Sequence, residues 1–229
     1  MTNVQRKRSL ECIEQWDLDL GFQHSLCSIR SYHVIDPKDC IRIINAGNEY
    51  AAHHGGWTTD RHQEAPTTDI PFDLLGGPQK HKFQQWKKNF IHKILSPILF
   101  RDYQATFRSF EDFFLVRYSS ETQSALRVHR DGTVISLVIQ LNEDFEGGGT
   151  YINSLEKSLV HNTGDLCIHS GWLFHGALPV TSGERYVLIG FCNIDAHWYS
   201  HRKLQYKAPF EPDSQIIRKA VLPDFRKKS

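Results

Sequence analysis

Between about residues 111 and 195 the chain is a succession of short apolar runs cut by glycine turns, and this stretch limits the possible folds more than any other. The runs are Glu111 to Tyr118, Val134 to Leu141, Thr150 to Ile152, Asp165 to Ile168, Phe174 to Leu178 and Arg185 to Cys192. The run Val-Ile-Ser-Leu-Val-Ile-Gln-Leu reads as a buried strand, and Asp144-Phe-Glu-Gly-Gly-Gly149 reads as a turn. Many short strands at even spacing with glycine turns point to a barrel or a jelly roll.

The first 110 residues read differently. Leu10, Ile13, Trp16 and Leu20 fit a short amphipathic helix within 1–24, and Leu26 to Ile35 fits a strand. Asp36-Pro37 is a helix start, with Asp at the N-cap and Pro at the first helical position. Ile41, Ile44 and Asn48 then follow one face to about Ala52, and Gly55-Gly56 ends the helix. Residues 57–71 are a loop by composition, rich in groups that also recognise ligands, so a solvated connection and a substrate loop are both open. Phe83, Trp86, Phe90, Ile91 and Ile94 lie near helical spacing, the core face of a supporting helix over 78–95. The tail from Ala196 is polar, with a last helix expected around Ser214 to Ala220. At 229 residues this suits one domain: a support region at 1–110, a strand-rich core at 111–195 and a tail at 196–229.

Composition narrows the partners. Lys and Arg total 27 against 26 Asp and Glu, so the summed charge gives no reason to expect a membrane or a nucleic acid. Nor does any stretch combine aromatic and basic residues in the way that grips bases. The five cysteines are scattered and form no C-x-x-C pair, which argues against a disulfide framework and against a zinc knuckle. No apolar run follows the basic start, and none is long enough for a bilayer. The expectation is a cytoplasmic protein, with a nuclear address possible from the Lys/Arg clusters at either end.

The chemistry gathers at two places. On a strand, His129 and Asp131 would project to one face with Arg130 turned away. His175 can add a second imidazole from a neighbouring strand. Two His and one carboxylate are the ligand set of non-haem Fe(II) oxygenases, which leave metal positions open for O2 and a co-substrate. Arg185, ten residues after His175 and followed by the apolar run Tyr186-Val-Leu-Ile-Gly-Phe, suits a bidentate pair with a distant carboxylate of that co-substrate. Competing readings stand beside these. Asp131 could cap the turn that Gly132 invites. Arg185 could be a surface charge, and Tyr118 a plain core aromatic.

The motifs Phe114-Leu-Val-Arg-Tyr118, His129-Arg-Asp131, Leu141-Asn142, Phe145-Glu-Gly-Gly-Gly149, Gly164-Asp165, His175-Gly, Leu178-Pro179 and Gly183-Glu-Arg185-Tyr186 occur together and in order. Over about 111–195 the chain thereby resembles the catalytic domain of the 2-oxoglutarate- and Fe(II)-dependent oxygenases, in the prolyl 4-hydroxylase and procollagen lysyl hydroxylase branch. The resemblance implies a mainly β fold with flanking α: a double-stranded β-helix (jelly roll) core with N-terminal supporting helices. It implies Fe(II) held by His129, Asp131 and His175, which are also the catalytic set. Arg185 and Tyr118 would bind 2-oxoglutarate, with O2 as oxidant and ascorbate as a possible reductant. The implied reaction is hydroxylation of an unactivated C–H, on a prolyl or lysyl side chain of a peptide or protein, or on a small molecule such as a free amino acid. Trp57, Arg61, Arg127, Arg130 and Trp172 are candidates for a substrate entrance, each with a surface or packing role as its rival. Two other classes remain: a non-catalytic jelly roll that binds a partner, and a zinc hydrolase on the same ligands, which would have no use for Arg185.

Overall fold

The computed structural model describes residues 12–17 and 28–196. Two antiparallel sheets face one another. Cys12–Asp17 (β1), Ser28–His33 (β2), Asp69–Pro71 (β3), Ala105–Ser119 (β4), Ile135–Gln140 (β6), Asp165–Ser170 (β10) and Val180–Ala196 (β12) form the larger sheet in the order β1-β2-β10-β6-β12-β4-β3, and Phe145–Gly147 (β7) pairs with β12. Leu126–His129 (β5), His175–Ala177 (β11), Thr150–Ile152 (β8) and Lys157–Leu159 (β9) form the smaller sheet in the order β5-β11-β8-β9. Of the barrel and the jelly roll that the strand pattern leaves open, this is the jelly roll, as the family resemblance implies.

The centre of the larger sheet is covered on both faces, which is why β6 and β10 have no exposed residue. Phe114, Val116 and Val138 meet Ile152, Leu173 and Ala177 of the opposite side to fill the space between the sheets. Leu115, Leu137, Ile139 and Leu188 point the other way and pack beneath the helices. Pro37–His53 (α1) begins as expected: the Asp36 carboxylate accepts from the Lys38 N–H at 2.9 Å. Its contact face is Cys40, Ile43, Ala46, Gly47 and Ala51. A Cβ on Gly47 would run into Leu115, so glycine lets α1 lie directly on the sheet.

The second helical region runs further than expected. Lys80–Phe90 (α2) continues through a π-turn at Ile91–Leu95 into Ser96–Tyr103 (α3). The π-turn falls just before Pro97, whose ring and missing N–H cannot join a regular i→i−4 ladder. Phe83, Phe90, Leu95, Ile98 and Leu99 keep a buried face through the irregularity.

The expectation of a helix across 1–24 is corrected where the chain is described. Residues 12–17 are β1, antiparallel to β2. Ile13 and Trp16 have helical spacing, but Ile13 is half exposed and faces no core. Pairing with the free edge of β2 satisfies both backbones and outweighs so short a periodicity. The rest of 1–24 and the helix expected at Ser214 to Ala220 lie outside the described residues. Among the described residues no helix is long and apolar enough to cross a membrane.

Candidate active site

β5 and β11 pair so that His129 and His175 are directly opposed. Their rings lie 4.6 Å apart, centre to centre. Asp131 is not on a strand with His129. β5 ends at His129, and Asp131 occupies the turn that follows. The turn carries it to the same place because the Asp131 N–H donates to the Gly171 carbonyl, 3.0 Å away, in the loop before β11. Asp131 Oδ1 then lies 3.1 Å from His129 Nε2, and Oδ2 lies 3.4 Å from His175 Nε2.

The second nitrogen of each ring is already used. His129 Nδ1 donates to the Arg127 carbonyl at 2.8 Å, and His175 Nδ1 donates to the Leu173 carbonyl at 3.0 Å. With Nδ1 carrying the proton, each neutral ring turns the lone pair of Nε2 toward the carboxylate. One donor atom from each of the three residues falls within a 4.8 Å circle. Two imidazole lone pairs and one carboxylate, oriented from behind, fit a divalent transition metal.

The charges are consistent with such a site. Burial would raise the Asp131 carboxyl, but His175, His129 and other neighbours outweigh it and hold it well below the usual carboxylate range. Burial pushes His175 below the ordinary imidazole value. It acts on His129 too, yet the Asp131 carboxylate beside it, which favours the protonated ring, prevails and raises it.

These residues sit in a cavity of ≈ 350 Å³ between the sheets. Its far end is Arg185, 2 % exposed. Arg185 Nε donates to Gln140 Oε1 at 3.1 Å, Nη2 lies 3.4 Å from Thr150 Oγ1, and the guanidinium stands 5.7 Å from the Tyr118 ring centre. Among the described residues no carboxylate pairs with it. Burial lowers the guanidinium to about 10 and raises the Tyr118 phenol to about 12. A buried cation with only neutral partners is a receptor for an anion. The turn at Gly147–Gly149 brings Thr150 to it, with three successive positive φ angles of 75°, 70° and 102° that only glycine accepts readily. Asn142 ties β12 in place, giving Nδ2–H to the Glu184 carbonyl at 2.7 Å and accepting from the Tyr186 N–H at 2.8 Å.

The entrance candidates separate. Arg61 lines the cavity, but its guanidinium is committed to Asp69 and Asp112. Arg127 is exposed and does not line the cavity; it donates to the carbonyl of Glu64, which does. Trp57 packs near Tyr186 and Arg117 on the helix side of the sheet. Trp172 is half exposed and does not line the cavity. Arg130 does line it, with its guanidinium 4.0 Å from the Phe174 ring centre.

Sequence reasoning passed over Ser136, which donates to Asp131 Oδ2, and His169, whose ring meets His175 edge-on at 4.6 Å. It also passed over His62, which lines the cavity against Phe114. The available signal was a polar residue inside an apolar run: Ser136 and Gln140 within β6, and His169 within β10.

Comparison with known proteins gives three kinds of similarity. Residues 110–194 match the family model described as the 2OG-Fe(II) oxygenase superfamily. The chain is 27 % identical over 178 residues to human procollagen-lysine,2-oxoglutarate 5-dioxygenase 2, covering 70 % of this chain and 23 % of that protein. It thus spans less than a quarter of the length of that relative. In fold it is similar to a prolyl-4-hydroxylase of Pseudomonas putida (TM-score 0.51, 16 % identity, 75 % of this chain and 93 % of that one). It is also similar to a prolyl hydroxylase of Trichoplax adhaerens in complex with a peptide fragment of the hypoxia inducible factor oxygen degradation domain (TM-score 0.53, 10 % identity, 72 % and 82 %).

Proposed function

We propose that this chain, whose residues 110–194 match the 2OG-Fe(II) oxygenase superfamily, is a 2-oxoglutarate-dependent dioxygenase that hydroxylates an unactivated C–H of a prolyl or lysyl side chain in a peptide or protein. One observation carries the reading. Two oriented imidazoles and a carboxylate stand at one end of a cavity, and a buried arginine without a carboxylate partner among the described residues stands at the other. A metal site alone would need no such arginine.

In this reading His129, Asp131 and His175 hold Fe(II). Once loaded, the centre couples oxidative decarboxylation of 2-oxoglutarate by O2, giving succinate and CO2, to oxygen insertion into the substrate. The protein's part is positioning and exclusion. Arg185 and Thr150 take the distal carboxylate of 2-oxoglutarate, with the Tyr118 hydroxyl beside them. The Arg127 and Leu173 carbonyls hold the two imidazoles in the ligating tautomer. Val187, Ile189, Phe191 and Phe114 line the space between the two ends and keep it poor in water. The substrate side chain enters between Arg130 and the segment 61–67.

Residues 1–229 work in this reading as a single oxygenase unit, with 1–110 as support. A cytoplasmic place of action accords with the four described cysteines, all free and three of them buried.

The test is a panel of Pro- and Lys-containing peptides incubated with protein, Fe(II), ascorbate, O2 and 2-oxoglutarate. Gain of one oxygen on a particular peptide, with a matching rise in succinate, supports the reading and identifies the residue. Succinate formed at a rate that no peptide changes would redirect it to a small-molecule substrate of the same chemistry.

A further inference from the structure

We infer that Ser136 is a positioning residue that restricts Asp131 to one metal-facing oxygen and so keeps the remaining metal positions open. This rests on the oxygenase reading above, since it presumes that Asp131 is a ligand. A carboxylate beside a divalent cation can bind through one oxygen or through both. Two-point binding would use a position that the co-substrate or O2 needs.

The geometry makes the two oxygens unlike. Oδ2 accepts the Ser136 hydroxyl at 2.5 Å, a short charge-assisted hydrogen bond. Each oxygen faces one imidazole, Oδ1 at 3.1 Å from His129 Nε2 and Oδ2 at 3.4 Å from His175 Nε2, but Oδ1 accepts no hydroxyl. A lone pair engaged by an O–H is a poorer donor to a cation, so Oδ1 is the ligating atom.

Ser136 is well placed to act this way. It sits on β6, whose two edges are paired, to β10 on one side and to β12 on the other. Its register partners are His169 and Phe191, and its own exposure is 1 %. The backbone under the hydroxyl is therefore fixed from both sides. His169, directly opposite, makes no hydrogen bond to Asp131: its Nδ1 is used by the Ser170 carbonyl, and its Nε2 has no hydrogen-bond partner. Among the described residues Ser136 is the one side-chain hydroxyl on Asp131. The Asp131 backbone is held separately, through its N–H to Gly171. The main chain fixes where the carboxylate is, and Ser136 fixes which way it turns.

The experiment titrates Co(II), without O2, into the metal-free full chain and its Ser136→Ala and Ser136→Thr variants, following visible absorption as a report of coordination. Ser136→Ala should bind Co(II) about 10–100-fold more weakly and with an altered spectrum, the range seen when an outer hydrogen-bond partner of a ligand is removed. Ser136→Thr, which keeps the hydroxyl, should restore both. Should Ser136→Ala not fold, Ser136→Val, the same shape as the threonine without its hydroxyl, is titrated in its place, with the same expectation. Affinity within twofold of the parent and an unchanged spectrum in the hydroxyl-free variant would overturn the inference. So would a loss that Ser136→Thr fails to restore, because packing and not the hydroxyl would then be the cause. If the parent chain itself takes up no Co(II), the oxygenase reading fails first, and the two failures are told apart.

Discussion

Arg185 is a full positive charge sealed between two sheets with Gln140, Thr150 and Tyr118 for company. Burial lowers its guanidinium to about 10, which corresponds to about 3 kcal/mol of unfavourable desolvation. A group kept at that cost is kept for a ligand. Arg185→Met should therefore act in two directions. The co-substrate-free protein should melt at a higher temperature, and the KM for 2-oxoglutarate should rise at least tenfold, since breaking a buried charge pair costs about 2–5 kcal/mol. A melting curve and a 2-oxoglutarate titration check both, and a variant with unchanged KM would remove Arg185 from the co-substrate site. His161 carries a second signature. It is 4 % exposed, and burial lowers its ring from 6.5 to about 4. As the pH falls from about 6.5 toward 4, the unfolded chain takes up this proton and the folded chain does not, so stability falls with it. The loss from His161 reaches about 3 kcal/mol at most. Urea unfolding of the metal-free protein across that range should show the decline, and His161→Gln should reduce it, leaving the part that the buried His169 and His175 contribute.

Among the elements, the segment between α1 and β3 is the one whose role the sequence left open. It proves to be a strap tied at several points. Thr58 bridges to Asp69, Arg61 joins Asp69 and Asp112, and the Gln123 amide donates to the Pro66 carbonyl at 2.6 Å. Asp69 is fully buried, so the tie is internal rather than a surface ion pair of little worth. Asp112→Asn should loosen 60–67, seen as faster amide exchange there, and raise KM for the hydroxylated substrate while basal conversion of 2-oxoglutarate to succinate stays as it was. Unchanged exchange in 60–67 would mean that Asp69 alone secures the strap. The limits of sequence reading are visible in the same elements. β6 and α1 were legible because each carries a strong local signal, an apolar run in one and an Asp-Pro start in the other. β1 was not, because its conformation depends on the edge of β2, a partner some fifteen residues away. α3 was not, because Pro97 looks like a boundary until a π-turn absorbs it. In the site, His129, Asp131, His175 and Arg185 could be named from spacing, although Asp131 arrives through a turn rather than along a strand. Asp69 could not, since nothing local separates it from an ordinary loop acid, and Ser136 showed only as a polar residue inside an apolar run, which marks a position but no role.

For the molecule as a whole, the larger sheet divides the labour. Its outer face packs on the helices through Leu115, Leu137, Ile139 and Leu188. Its inner face carries Ser136, Gln140 and Arg185 into the cavity. The smaller sheet adds His129, His175 and Thr150 from across the gap. The site thus exists only when the two sheets are assembled, and on the proposed reading the metal and the co-substrate would be held largely by opposite ends of one cavity. Both should stabilise the folded state together, with each ligand present at 100 times its dissociation constant adding about 2.7 kcal/mol.

The measurement that bears most directly on this account is conversion of 2-oxoglutarate to succinate by the purified chain with Fe(II) and O2, run beside Asp131→Ala and with the metal content of both determined. The account predicts succinate from the parent protein that stops when the metal is chelated and returns with Fe(II), and neither stoichiometric metal nor succinate from Asp131→Ala. Stoichiometric metal in the parent without succinate under O2, or equal succinate from the variant, would contradict it.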